Sequence, residues 1–364
     1  MLFDAHADIL TDMLEQNRLD NKNSFKSRHL DYYKKAGITH SIFVNFTDPS
    51  TKNDTEFKEI FDNAFIELKE NNEIFNICLD YTDLITPSKK IGVIIGMEGI
   101  MQLEDVNHLQ ELFDKGVRHA GLTWNEVNKY AAGLSSTSEG LTDLGKDILK
   151  RMEKLGMIID LAHANPRTFN EVFEVTSQPL IVSHGNTKAL CNHIRNYTDE
   201  QLNMIKDRNG VIGICGIAPF ISDIEENQTV AYMAAHIDYV AKLIGVDHVG
   251  IGFDVCYYLG EGETQNNVEG FQNIGDANNL FNELQKLGYS DDDIEKIIRM
   301  YDKNLTLISP KSSIFNKRNV KFFRLNSIIR EVCLIPLYKD FSFQYPDLIY
   351  LFGIYPQNRI NYIS

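Results

Sequence analysis

The residues best suited to chemistry in this sequence are imidazoles and carboxylates embedded in apolar runs. His6 and Asp8 lie two apart in FDAHAD, Glu98 falls in IIGMEG, His163 closes IIDLAH, His184 closes LIVSH and Asp254 closes GIGFD. Imidazole and carboxylate donors without convergent cysteines favour zinc, with manganese, iron and cobalt as alternatives. Each residue also has a plainer reading: Asp8 as a helix cap, His6 as a satisfied core histidine, Glu98 as the partner of Arg118. Metal ligation gains from convergence, because a buried carboxylate without a partner is costly and His163 and His184 close successive runs. Five ligands with one central carboxylate exceed a single four-coordinate catalytic zinc with an open position. Two metals bridged by Glu98 accommodate them. Asp254 reads as a sixth ligand or as a proton shuttle between a metal-bound water and a leaving group. Asp160, three residues before His163, is expected to pair structurally, and His119 has opposite strand parity to Trp124.

These residues need a scaffold that brings distant segments to one mouth. Eight short apolar or β-branched runs recur along the chain: LFDAH, THSIFVNF, GVIIGMEG, VRHAGLTW, MIIDLAH, LIVSH, VIGICG and HVGIGFD. Helical patterns separate them, several opening on Thr or Asp and stopping at Gly, and SDDDIEKIIRMYDKN follows the last with a capping signal from Ser290 to Asp293. Strand then helix, eight times, predicts an α/β fold, a (β/α)8 TIM-like barrel with its chemistry at the C-terminal face. Near-continuous apolar strands are what a buried parallel sheet requires. His6, Asp8, Glu98, Trp124, His163, His184 and Asp254 all stand at the ends of these runs.

Composition narrows the class. At 364 residues the chain can be one large barrel, and 43% hydrophobic with 24% charged residues allows a large core. A net charge of −15 argues against nucleic acid or an anionic membrane surface as a partner. The five cysteines are odd in number and never spaced as CxxC, so they read as reduced thiols. No basic and apolar leader precedes FDAHAD, and the longest mostly apolar run, GVIGICGIAPFI, is too short to span a bilayer. The expectation is a cytoplasmic protein.

With these residues assembled, residues 2 to about 309 resemble the renal-type (membrane) zinc dipeptidases of the amidohydrolase superfamily. DAHAD resembles the first-strand motif, in which His6 and Asp8 bind one metal; GMEG the segment of the bridging Glu98; DLAH and VSHGN the segments of His163 and His184, ligands of the second. SHGNTKALCNHIRNYTDEQL is especially close to bacterial members and puts Arg195 where the family has an arginine that pairs with the substrate carboxylate. DHVGIGFD puts Asp254 at the acid/base and substrate-amine position. The resemblance implies hydrolysis of dipeptides, including those with a C-terminal D-residue, by a hydroxide bridging two zinc ions. Two departures stand out: Trp124 occupies the place of a substrate-contacting histidine of animal members, and Cys256 that of an acidic residue common after Asp254.

Two other readings stay open: a different amidohydrolase reaction on a lactone, cyclic amide or phosphoester, and a silent barrel that binds metal or peptide. The first-strand His-x-Asp counts against the former and Asp254 against the latter. Residues 1–309 are taken as the barrel. Residues 310–364 carry eight Lys or Arg against three Asp or Glu and are rich in aromatics. They read either as an appended segment packing on the barrel or on a homodimer partner, or as an unnatural C-terminus, and receive no function.

Overall fold

The computed structural model describes residues 2–50, 54–258 and 267–300; the basic tail lies outside the described residues. The apolar runs become parallel strands: β1 (Leu2–Ala7), β2 (Ile38–Phe46), β3 (Phe75–Ile77), β4 (Ile91–Glu98), β5 (Val117–Gly121), β6 (Ile158–Asp160), β7 (Ile181–Gly185), β8 (Val211–Ile214) and β9 (Val249–Ile251). They hydrogen-bond in the order β1-β2-β4-β5-β6-β7-β8-β9. The eight expected runs are β1, β2 and β4 to β9. The ninth strand, β3, was not expected; it pairs with the first residues of β4, below the stretch that β5 takes.

The ladder is uneven. β2 and β4 pair over seven residues, whereas β6 and β7 share the single pair Asp160 and Ile181. Among the described residues no backbone ladder joins β9 to β1; there the Asp4 carboxylate accepts the Phe253 N–H at 2.9 Å. Phe3, Ile42, Ile94, Ile158, Ile181 and Val211, one residue from each of six strands, form a cluster separate from the larger core between strands and helices. That is how side chains fill a barrel interior.

Helix starts follow the expected chemistry. Thr142, Thr198, Thr229 and Ser290 each accept a backbone N–H at the head of a helix. The helix Asp143–Leu155 stops at Gly156, whose φ of 74° suits a residue without a Cβ. No described helix is long and apolar enough to cross a membrane.

Candidate active site

The six expected residues meet at one end of the barrel. His6 Nε2 lies 3.4 Å from Asp8 Oδ2, 3.6 Å from Glu98 Oε2 and 3.9 Å from Asp254 Oδ1. On the other side, Glu98 Oε1 is 2.8 Å from His163 Nε2 and 3.6 Å from His184 Nε2. Glu98 therefore turns one oxygen to His6 and the other to His163 and His184, and Asp254 Oδ2 reaches to within 3.9 Å of His184 Nε2. His6, Glu98 and His184, and separately His6, Asp8 and Asp254, offer donor atoms all within 4.8 Å of one another.

The plainer readings do not match these contacts. Asp8 stands at the N-cap of the helix Ile9–Arg18 but makes no side-chain cap hydrogen bond. His6 is buried with neither ring nitrogen hydrogen-bonded, and Asp8 Oδ1 is likewise unpartnered. Arg118 spends its guanidinium on the carbonyls of Leu79, Phe113 and Val117, away from Glu98.

Two of these residues sit farther along the chain than their runs suggest. β6 ends at Asp160 and β9 at Ile251, so His163 and Asp254 each come three residues after a strand. Both adopt left-handed backbone, with φ of 65° and 53°, a conformation that non-glycine residues rarely take and that clusters at functional sites. Gly252 makes the approach of the Asp254 segment to β7 possible, because a Cβ there would lie 1.8 Å from the Ser183 carbonyl oxygen. Trp124 is in the loop after β5, which ends at Gly121, so strand parity does not govern it.

The electrostatics favour a cation among these groups. Burial raises the Asp8 pKa, and it lifts Asp254 to about 7, with Asp8 and Glu98 adding to the rise against the pull of His6. Burial also opposes ionisation of Glu98, but His6 and His163 outweigh it and hold that carboxyl well below its usual range. Burial and the Arg195 charge keep His163 at about 4, and burial and His6 push His184 well below 6.5. Neutral imidazole is the form that binds metal. His163 Nδ1 pairs with Asn125 Oδ1 at 2.9 Å, which leaves Nε2 as an acceptor facing the Glu98 carboxylate and, at 2.9 Å, His184 Nε2. Acceptors crowded in this way fit a metal cation. Asn125, and Ser183 whose Oγ pairs with His184 Nδ1 at 2.9 Å, are orienting residues.

A cavity of about 860 Å³ opens over this cluster, lined by Asp8, Trp124, Arg195, Phe220, Asp254 and Cys256 among others. Arg195 is 5% exposed, its Nη2 3.1 Å from His163 Nε2, with Nε and Nη1 buried and without a hydrogen bond of their own. Trp124 forms part of the wall, edge-on to Phe46 with centroids 5.4 Å apart. Asp160 pairs with His119 at 3.1 Å, in the structural role expected of it.

A parallel (β/α)8 barrel that gathers imidazoles and carboxylates at one mouth defines the class: a metallohydrolase-type barrel. The membrane dipeptidase family (peptidase family M19) matches residues 1–306, and the chain belongs to that family. An uncharacterized protein of Acinetobacter calcoaceticus is 28% identical over 279 residues, 66% of this chain and 88% of that one. Dipeptidase aclJ of Aspergillus oryzae is 34% identical over 211 residues, 56% of this chain and 48% of its own. Dipeptidase tcpJ of Claviceps purpurea is 31% identical over 219 residues, 58% and 50%. The chain thus spans about half the length of these fungal relatives. The fold is that of a metallo peptidase from Rhodobacter sphaeroides liganded with a phosphinate mimic of the dipeptide L-Ala-D-Ala, at a TM-score of 0.74 and 20% identity over 85% of this chain and 98% of that one.

Proposed function

We propose that this chain is a dipeptidase that hydrolyses the peptide bond of dipeptides with two zinc ions bridged by Glu98, and that it accepts a D-residue at the C-terminal position. The observation that carries the reading is the orientation of Glu98, with Oε2 toward His6 and Oε1 toward His163 and His184. His6 and Asp8 would hold one ion, His163 and His184 the other. Bound metal supplies a nucleophile at neutral pH and positive charge against the developing oxyanion.

The chain's own residues do the rest. Asp254, a carboxyl lifted to about 7 at the cavity wall, takes a proton from the attacking water and returns it to the leaving nitrogen, and it holds the substrate amine. Arg195 pairs its fork with the free C-terminal carboxylate, which limits substrates to short peptides. Trp124 bounds the substrate from the side where animal members have a histidine. Residues 1–309 carry this activity. A cytoplasmic site of action belongs to the same proposal, supported by free thiols at Cys78, Cys191, Cys215 and Cys256.

The fungal relatives named dipeptidases and the dipeptide mimic bound to the Rhodobacter protein support this choice of substrate. The test pairs metal analysis with a dipeptide panel that includes C-terminal D-residues. About two zinc ions per chain with metal-dependent hydrolysis are expected; two ions without hydrolysis of any member would refute the dipeptidase reading. Asp254→Asn should lower chiefly kcat.

A further inference from the structure

Two of the buried carboxylates outside the mechanism bind backbone beside the site residues. Asp160 is 4% exposed and Asp4 1%. Asp160 Oδ1 accepts the N–H of Ala162 at 3.0 Å and of Ser183 at 2.8 Å; these residues immediately precede His163 and His184. Asp4 Oδ1 accepts the N–H of His6 at 3.3 Å and of Phe253 at 2.9 Å; Phe253 immediately precedes Asp254. In both places a single oxygen joins two segments that carry site residues. In both, one of the tied N–H groups belongs to the residue just before a left-handed one, His163 or Asp254.

Their locations explain why side chains are needed there. β6 and β7 share one ladder pair, and among the described residues β9 and β1 share none. β2 and β4, by contrast, hold their register through a continuous ladder of seven pairs. At these two seams the backbone ladder gives the strand ends little hold, the Leu161 N–H to Ile181 carbonyl bond at 2.8 Å being a backbone tie across β6–β7, and a left-handed non-glycine residue persists only when its surroundings hold it. Asp160 is itself held on its second oxygen by His119 Nε2 at 3.1 Å. Gly96 gives that ring its room, since a Cβ there would lie 2.4 Å from His119 Nδ1.

We propose that Asp4 and Asp160 are a matched pair of positioning residues, each substituting for missing sheet ladder at one seam and each holding one half of the metal site: Asp160 the half of His163 and His184, Asp4 the half of His6 and Asp254. This rests on the two-metal reading of the site.

The test is zinc titration of metal-free protein against a chelating indicator. Removing an orienting partner of a metal ligand costs 10- to 100-fold in affinity as a rule. Asp160→Ala should weaken one of the two ions by about that factor and leave the other, and Asp4→Ala should do the converse. In a His184→Ala protein, which keeps one ion, Asp160→Ala should add nothing whereas Asp4→Ala still weakens the remaining ion. Asp160→Asn and Asp4→Asn keep an oxygen that accepts both N–H groups and should stay near wild-type affinity. Loss of both ions together, or unchanged affinity in the alanine variants, overturns the assignment. If an alanine variant does not fold by circular dichroism, its asparagine counterpart decides. Near wild-type affinity with slowly exchanging Ala162, Ser183 and Phe253 amides supports the assignment, and a tenfold loss overturns it. Wild-type protein that binds no zinc overturns the site itself. Two bound ions without dipeptide hydrolysis refute the activity and leave the positioning roles standing.

Discussion

Replacing Arg195 with alanine should separate recognition of the free carboxylate from the rest of catalysis. The guanidinium lies against the Phe220 ring, 5.6 Å from its centroid, and one nitrogen, Nη2, meets His163. Nε and Nη1 are buried without a hydrogen bond. The neighbouring Tyr197 hydroxyl gives its proton to the Leu161 carbonyl at 3.0 Å. A substrate carboxylate that reaches this fork would form two charge-assisted hydrogen bonds of about 1.5–3 kcal/mol each. Together they amount to about 3–6 kcal/mol, or roughly 150-fold to 25,000-fold in kcat/KM, expressed mainly in KM. The assay compares kcat/KM for a dipeptide and for the same dipeptide as its C-terminal amide, in wild type, Arg195→Ala and Arg195→Lys. Alanine should lose the dipeptide by that factor and barely change the amide, so that discrimination between them disappears. Lysine restores the charge without the planar fork and should recover part of it. Equal losses on acid and amide would refute the reasoning, because they would mean that Arg195 acts through His163.

Acid should destabilise the fold through His236, which is fully buried with Nε2 donating to the Ile221 carbonyl and Nδ1 accepting the Thr187 N–H. Burial lowers its pKa from 6.5 to about 4. Between those values the unfolded chain binds a proton that the folded chain does not, so stability present above pH 6.5 is lost as pH falls toward 4, by about 3 kcal/mol in all. Urea midpoints from pH 7 to 4 should fall less steeply for His236→Gln; an identical slope would count against it. Chelation should lower Tm and added zinc should restore it, since metal binds the folded site; a Tm indifferent to chelator would argue against a resident metal. Trp124→Ala should raise kcat/KM for dipeptides with bulky side chains relative to Ala-Ala, measured by competition, and no change in that ratio would remove Trp124 from the substrate's surroundings.

Most of the scaffold and all six clustered site residues were legible as apolar runs that end in imidazole or carboxylate, because a buried parallel strand writes its burial into consecutive residues. β3 escaped because three residues, Phe75–Ile77, make too short a run to stand out after a long helix. Strand parity does not reach Trp124, because β5 ends at Gly121 and the chain turns before it. The orienting contacts were invisible for a different reason. Asn125 meets His163 across 38 positions and Asp4 meets Phe253 across 249, and no local pattern encodes such pairs.

That last separation bears on how the protein is made. β1 leaves the ribosome well before β9: Phe253, whose N–H the Asp4 carboxylate accepts across the β9–β1 seam, follows Asp4 by 249 positions. At 5–20 residues per second the interval is roughly 12–50 s, during which the opening strand has no neighbour on that side. Closure of so long a loop comes late in folding. A nascent chain halted before Phe253 would hold His6, Asp8, Glu98, His163 and His184 but not Asp254, and could not tie Asp4 to Phe253, so protease sensitivity near β1 should persist until synthesis has passed Asp254.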